Sequence, residues 1–259
     1  MIHISVVIIT LNEEKNLARC LDSVKDIADE IVIVDSYSTD NTTAIARNYN
    51  SKVIEHAFMG YVEQKNFATR QAANDWILSL DADEALTPEL QKSILEIKKS
   101  PQYDVYQMSR LTNYCGQWIK HCGWYPDVKS RLYDRRKGMW QGEQIHEYWE
   151  THDVHAKAGK LRGDLLHYSY YTISDHIRQI EKFSEVLAKI AIGNGKTSSI
   201  LKVWSAPKWK FFTDYFIKLG FLDGYSGYLV CKLSAFATFV KYSKIRQYSQ
   251  MKKQTGTIE

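Results

Sequence analysis

Short apolar runs alternate with amphipathic segments over the first hundred positions of the chain. The runs predict strands at 4–10, 30–34, 52–55 and 76–80, and the last of these reads as a strand buried on both faces. The segments between them carry apolar residues at helical spacing, and Asn12 is predicted to cap the first helix. This alternation predicts an α/β fold with a doubly wound, mostly parallel sheet flanked by helices.

The pattern changes beyond residue 100. Further short strands are predicted at 104–111, 129–133, 143–149 and 164–168. A convincing helical stripe covers 172–192 and ends at Gly193-Asn194-Gly195. After it, aromatic residues alternate with lysines from 201 to 246. We therefore expect a C-terminal helical extension.

Composition and charge narrow the classes of function. Hydrophobic residues make up 44% of the 259 positions and charged residues 25%, which is typical of a globular protein with a full core. Residues 196–259 contain 11 Lys and Arg against 3 Asp and Glu, whereas residues 1–195 carry a net charge of −4. A basic, aromatic tail on an acidic body favours an anionic membrane surface as partner, and the acidic part disfavours nucleic acid.

Acidic residues follow two of the predicted strands. Asp35 closes the second strand, and Asp81-Ala82-Asp83-Glu84 follows the strand at 76–80. The carboxyl ends of strands in open α/β sheets form the ligand-binding edge. Asp81 and Asp83 lie on the same side of an extended chain, so both can reach one Mg²⁺ or Mn²⁺ ion bound to a diphosphate.

Other nucleotide and hydrolase motifs are missing from the sequence. No G-x-G-x-x-G follows the first strand, there is no Walker sequence, and there is no G-x-S-x-G elbow. NAD-dependent, P-loop and α/β-hydrolase chemistry are therefore disfavoured.

The order and spacing of these motifs resemble family 2 glycosyltransferases, which have the GT-A fold. The resemblance rests on residues 5–14, 31–42, 64–66 and 80–84. A second set is similar to the branch of lipopolysaccharide core β-glucosyltransferases. It comprises residues 124–127, 131–133, 146–147, 166–170 and 218–224. The resemblance implies a GT-A domain over 1–195, with a nucleotide-sugar half at about 1–100 and an acceptor half at about 101–195, followed by the extension at 196–259.

The resemblance also implies roles for individual residues. It implies that the nucleotide pocket is lined by Thr10, Asn12, Glu14, Asp35, Lys65 and Asn66. Asp81 and Asp83 match the D-x-D motif, with Asp83 as the direct metal ligand and Asp81 in support of the ribose or the metal shell. Arg131 is a candidate for neutralising the leaving diphosphate or an acceptor phosphate.

An inverting transfer also needs a carboxylate that deprotonates the acceptor hydroxyl. The matching region offers Gln144-Ile145-His146-Glu147. Glu147 is our candidate for the base, Glu143 is the second choice, and His146 would orient or tune Glu147.

Taken together, the sequence predicts a metal-dependent hexosyltransferase that is peripheral at the inner face of the cytoplasmic membrane of a bacterium. The expected donor is UDP-glucose or another UDP-hexose, and the expected acceptor is a lipid-linked saccharide such as the lipopolysaccharide inner core. Two alternatives stay open: transfer to polyprenyl phosphate, and a non-catalytic, membrane-bound sensor of nucleotide sugars.

Overall fold

The computed structural model describes residues 1–143, 146–153 and 155–255. The chain divides into two compact units: unit 1 comprises Met1–Leu111 and Pro126–Tyr168, and unit 2 comprises Thr112–Tyr125 and the chain from Ser169 onward. The boundary expected at residue 195 falls inside unit 2, because the long helix before it packs on the C-terminal helix. The functional division into 1–195 and 196–259 stays a prediction.

Four parallel strands form one half of the sheet in unit 1. They are β1 (Ile4–Thr10), β2 (Glu30–Asp35), β3 (Lys52–Glu55) and β4 (Trp76–Asp81). Their spatial order is β3-β2-β1-β4, and the connecting helices are α1 (Leu17–Val24), α2 (Thr42–Asn48) and α3 (Tyr61–Gln71). These bounds lie within two residues of the predicted ones for the strands. Because α1 begins only at Leu17, after Asn16, the prediction that Asn12 caps it is wrong.

Side chains of β1 alternate between the two faces of the sheet and are buried on both. Ile4, Val6 and Ile8 pack on one side with Leu17 of α1, and Val7 packs on the other. Each fully buried aliphatic side chain contributes about 1.5–3 kcal/mol relative to an exposed one. This two-sided burial explains why the strand reads as a continuous apolar run.

The other half of the sheet is antiparallel and was predicted less completely. Its strands are β5 (Glu84–Leu86), β6 (Val105–Tyr114), β8 (Asp127–Asp134) and β11 (Ala158–Tyr170), with β7 (Gln117–Ile119) paired to the end of β6. β8 runs antiparallel to β4 and to β6, and β11 runs antiparallel to β5. Helix α4 (Pro88–Lys99) has Thr87 as its cap. The sequence does not predict β5, because its three residues form a strand only by pairing with β11.

A separate antiparallel hairpin lies in the second half of unit 1. It consists of β9 (Gly138–Glu143) and β10 (His146–Thr151), with Glu147 opposite Gly142. Its indole rings are buried: Trp149 stacks on Tyr133 with ring centroids 3.6 Å apart, and Trp140 donates a hydrogen bond to the Tyr133 hydroxyl. The hairpin is therefore anchored on β8 by aromatic packing.

Unit 2 is mainly helical. It contains α5 (Ile173–Gly193), α6 (Ile200–Phe212), a π-helical turn (Thr213–Ile217), a 3₁₀ turn (Gly220–Asp223) and α7 (Gly224–Thr255). Thr172 and Asp175 form a capping box at the start of α5. Across the described ranges, no helix combines the length and the apolar character needed to cross a bilayer. The part of the predicted C-terminal extension that the structure describes, 196–255, is helical and contains α6 and α7.

Candidate active site

The register of the parallel strands brings the predicted site residues to one edge of unit 1. Thr10 pairs with Asp35 across β1 and β2, and Ile9 pairs with Asp81 across β1 and β4. The loops that follow these strands therefore start side by side, as expected for the carboxyl edge of a parallel sheet.

The loops after β1 and β2 hold each other by reciprocal hydrogen bonds. The backbone N–H of Asn12 donates to Ser38 Oγ at 2.8 Å, and Asn12 Oδ1 accepts from the backbone N–H of Thr39 at 2.8 Å. Glu14 Oε2 accepts from the backbone N–H of Asn41 at 3.1 Å. Asn12 and Glu14 therefore shape the rim of the site by bracing one loop on the other.

Asp35 anchors the second of these loops from below. Its carboxylate is fully buried and accepts from Thr10 Oγ1 at 2.8 Å, from the backbone N–H of Ser38 at 2.7 Å and from Ser38 Oγ at 2.5 Å. A buried carboxylate needs such donors to offset its loss of hydration. In this arrangement, Thr10 and Asp35 set the shape of the loop at 36–38: Thr10 donates to Asp35, and the Asp35 oxygens face protein donors.

Lys65 of α3 lies between Asp81, which belongs to the predicted metal motif, and Glu147, the candidate base. Its Nζ lies 2.9 Å from Asp81 Oδ1 and 3.0 Å from Glu147 Oε1, and its side chain is 1% exposed. The same ammonium group lies 4.7 Å from the ring centroid of Trp140. Lys65 thus links the end of β4 to the hairpin that carries the candidate base.

Arg131 of β8 lies on the other side of Asp81. Its Nη2 is 2.5 Å from Asp81 Oδ2 and 2.8 Å from Glu84 Oε1, and the arginine is buried. Burial by itself raises the pKa of Asp81, but Arg131 and Lys65 outweigh it and hold the pKa well below its ordinary value of 3.8. Arg131 is therefore a partner of Asp81 and Glu84 rather than an exposed phosphate ligand.

Glu84 is a structural acid, as its full burial indicates. Its Oε2 accepts from the backbone N–H of Asp81 at 3.0 Å, and its Oε1 also faces Arg110 at 3.3 Å. Arg110 in turn contacts Asp127 at 2.6 Å. Acids and bases thus alternate across β4, β8 and β6, so the charges of Asp81 and Glu84 are balanced within the protein.

Asp83 differs from Asp81 in its partners. It lies 3.2 Å from Nε2 of His167 on β11, and its side chain is 25% exposed. Burial raises the pKa of Asp83, but the neighbouring His167 outweighs this and lowers it below 3.8. The Glu13 carboxyl has its pKa raised by burial and, to a smaller extent, by Asp83, Asp40 and Asp81. Asp83 is therefore ionised at neutral pH.

A divalent cation fits these donors if it arrives with phosphate ligands. Within 1–143, 146–153 and 155–255, no three His, Cys, Asp or Glu side chains form a self-contained metal site. Both oxygens of Asp81 face Lys65 and Arg131. Asp83 and His167 remain as a carboxylate–imidazole pair, and Mg²⁺ commonly takes one or two protein ligands together with substrate phosphates. The donor set thus fits Asp83 as a direct ligand better than Asp81.

Asn66 connects α3 to the hairpin through two hydrogen bonds. Its Nδ2 donates to the carbonyl oxygen of Trp140 at 2.9 Å, and its Oδ1 accepts from the backbone N–H of Trp140 at 3.0 Å. Glu147 lies on the adjacent strand with its side chain 19% exposed. The side chains of the other two candidates, Glu143 and His146, lie outside the described residues.

The predicted residues thus fall into two groups. One braces the loops after β1 and β2, and the other forms a charged network around Lys65. Sequence reasoning missed the roles of Glu13, His167, Arg110 and Trp140. His167 was visible only as part of the motif at 166–170, and the acids that contact Arg110 lie on other strands, 26 positions before it and 17 after it. The residues on either side of such a side chain in the sequence do not show which distant residue it will contact.

Known proteins resemble this chain over most of its length. Residues 5–156 match the model of glycosyl transferase family 2. An uncharacterized glycosyltransferase of Rickettsia typhi is 34% identical over 95% of this chain and 87% of its own length. The lipopolysaccharide core biosynthesis glycosyltransferase LpsC of Rhizobium meliloti is 30% identical over 96% of this chain and 94% of its own length.

Solved structures match a smaller part of the chain. Glucosyl-3-phosphoglycerate synthase from Mycobacterium tuberculosis, in complex with Mn²⁺, UDP and glucosyl-3-phosphoglycerate, is 21% identical. That match covers 43% of this chain and 44% of the synthase, with a TM-score of 0.37. The family model and the full-length relatives are decisive: the chain belongs to glycosyl transferase family 2, and its sheet flanked by helices is the GT-A-type α/β fold expected from its motifs.

Proposed function

We propose that this glycosyltransferase moves glucose from UDP-glucose to a lipid-linked saccharide of the lipopolysaccharide inner core, with inversion at the anomeric carbon. Likeness to LpsC over nearly the whole chain supports the lipopolysaccharide core as the destination. The choice of glucose rests on the second motif set, which is similar to core β-glucosyltransferases. The four cysteines are free, which accords with a reducing compartment and with the inner face of the cytoplasmic membrane.

The observation that carries the proposal is the position of Lys65 between Asp81 and Glu147. In the proposed reaction, the acceptor hydroxyl oxygen attacks the anomeric carbon while the bond from that carbon to the diphosphate oxygen breaks. Glu147 receives the hydroxyl proton, and UDP leaves with the electron pair. Lys65 holds Glu147 at a set distance from the strand end where the diphosphate would lie.

The other site residues are proposed to act on different parts of the donor. Asp83 and His167 would hold a Mg²⁺ or Mn²⁺ ion, which neutralises charge on the leaving diphosphate when bound. The loops braced by Asn12 and Asp35 would border the nucleoside. Arg131 is proposed to act through Asp81, because its guanidinium is buried against that carboxylate.

A transfer assay with purified protein, Mn²⁺, a panel of UDP-sugars and extracted lipid acceptors tests the proposal. We expect Glu147→Gln to lower kcat at least 100-fold while the donor Kd is unchanged. Glu150→Gln is a matched control, since Glu150 lies on the same strand and is exposed. Near-wild-type transfer by Glu147→Gln would refute the assignment of the base.

The two alternatives give different results in the same assay. Transfer to polyprenyl phosphate that persists in both Glu147→Gln and Glu143→Gln would favour the phosphate acceptor, which needs little help from a base. Binding of UDP-sugars without hydrolysis or transfer to any acceptor would favour a sensor. Asp83→Asn tests the metal site that all three hypotheses share, because it should abolish Mn²⁺-dependent donor binding and, with it, any turnover.

A further inference from the structure

Unit 2 exposes an unusual number of large apolar side chains between residues 200 and 225. The exposed residues are Ile200, Leu201, Trp204, Trp209, Phe212, Phe216, Ile217, Leu219, Phe221, Leu222 and Tyr225. Most of them are more than half exposed, among them Leu201 at 73%, Trp204 at 61% and Trp209 at 65%. Single exposed apolar residues are ordinary, but a contiguous group of this size marks an interaction surface.

Several of these side chains share one face of α6 and the π-helical turn. Leu201, Trp204, Phe212 and Phe216 recur at helical spacing, while Val203 on the opposite side is buried. Adjacent rings touch: the ring centroids of Trp209 and Phe212 are 5.7 Å apart, and those of Phe212 and Phe216 are 5.4 Å apart. We call this group the aromatic face.

The exposed charges of the stretch that carries the aromatic face have one sign. Within residues 196–255, the acids are Asp214 and Asp223, and they are buried, at 1% and 6% exposure. Lys210 and Lys218 contact Asp214 at 2.9 and 3.3 Å. The exposed ionic side chains of the stretch are Lys196, Lys202, Lys208, Lys218, Lys232, Lys252 and Lys253. The surface thus offers cations and aromatic rings, with its acids withdrawn into the unit.

We propose that the aromatic face inserts into the interfacial region of an anionic lipid bilayer, with the surrounding lysines on the lipid headgroups. Tryptophan and phenylalanine are the side chains that favour the boundary between headgroups and acyl chains. Each lysine near an anionic surface adds about 1 kcal/mol of attraction, or about a fivefold gain in partition coefficient. A protein partner would more commonly meet a surface of mixed charge, and a second copy of this face would bring lysines against lysines.

This inference rests on the proposed function in one respect: the proposed acceptor is linked to a lipid, so an enzyme bound to the bilayer lies next to its substrate. The inference adds the surface that binds the lipid and the orientation of α6 on the membrane. In that orientation, α6 lies in the plane of the membrane, and its side chains that face the lipid are Leu201, Trp204, Phe212 and Phe216.

Co-sedimentation of the full chain with vesicles tests the inference. We expect binding to vesicles of 70% phosphatidylcholine and 30% phosphatidylglycerol, and much weaker binding to pure phosphatidylcholine. The triple variant Trp209→Ala/Phe212→Ala/Phe216→Ala should lose at least tenfold in partition coefficient. The double variant Ile173→Ser/Ile177→Ser is the control, because these residues of α5 are also exposed, at 40% and 46%. Lys208→Gln should cost about fivefold on anionic vesicles and nothing on neutral ones.

Further readouts separate failure of this inference from failure of the proposed function. Transfer to a soluble, delipidated acceptor should be unchanged in the triple variant, whereas transfer to vesicle-embedded acceptor should fall. If the enzyme transfers no sugar at all, the vesicle measurement still stands by itself. Equal binding of the triple variant and the control would overturn the inference. The inference would also be overturned if sedimentation velocity showed a dimer for the wild type and a monomer for the triple variant. The aromatic face would then be a contact between copies.

Discussion

Replacing Lys65 with methionine tests the charged network most directly. Methionine keeps the length and most of the volume of the aliphatic stem, so packing against Trp140 is largely retained and the charge is removed. The change leaves Glu147 without the cation at 3.0 Å and leaves Asp81 with Arg131 alone. We therefore expect lower stability together with loss of activity.

The expected cost follows from burial. Removing one partner of a fully buried ion pair costs about 3–5 kcal/mol. Here Lys65 is 1% exposed, but its two acids are 28% and 19% exposed, so water solvates part of the charge that is left. Asp81 also keeps Arg131. We expect a loss of about 2–3 kcal/mol in the free energy of unfolding, or about 5–10 °C in Tm for a chain of this size.

The pH dependence supplies a second signature. The folded-state pKa of Asp81 lies below 3.8, so its ionic contribution to stability is present above that value and is lost as the pH falls through the folded pKa. Without Lys65, the pKa of Asp81 rises and the carboxylate takes up a proton at higher pH. The deficit of the variant relative to the wild type should therefore stay nearly constant between pH 7 and pH 5 and shrink once the pH falls below the ordinary value of 3.8.

Urea unfolding at pH 7 and pH 3, followed by circular dichroism, measures both effects. Lys25→Met is the control, because it removes the same charge from an exposed pair with Asp22, and it should leave the unfolding midpoint unchanged. A deficit below about 1 kcal/mol at pH 7 would show that Lys65 is not energetically coupled to its acids. A deficit that stays equal at the two pH values would refute the electrostatic explanation.

Other expectations follow from the same site. Asn66→Ala should cost about 2 kcal/mol in urea unfolding, because both backbone groups of Trp140 lose their partner; an unchanged midpoint would contradict this. Tyr133→Phe should cost about 1–3 kcal/mol, since the buried indole N–H of Trp140 is left without its acceptor, and wild-type stability would argue against that bond. His167→Gln should raise the Mn²⁺ concentration for half-maximal donor binding at least tenfold, and an unchanged value would leave Asp83 as the only protein ligand of the pair.

The parallel half of the fold was predictable because its signals are local. Each of the strands at 4–10, 30–34, 52–55 and 76–80 is an apolar run between helical segments, and the structure matches them within two residues. Burial on both faces makes such strands hydrophobic throughout. The antiparallel half was harder, because β5 has three residues and exists through pairing with β11.

The candidate site divides in the same way. By itself, the sequence determined that acids stand at the carboxyl ends of strands, that their spacing matches family 2 glycosyltransferases, and that the tail is basic and aromatic. Tertiary structure decided which acid remains available: Asp81 is neutralised by Lys65 and Arg131, from 16 positions before it and 50 after it, whereas Asp83 faces His167. Coulombic interactions depend on distance in space and on the surrounding medium, and neither is written in the order of residues. The identity of the acids is therefore a property of the sequence, and their charge balance is a property of the fold.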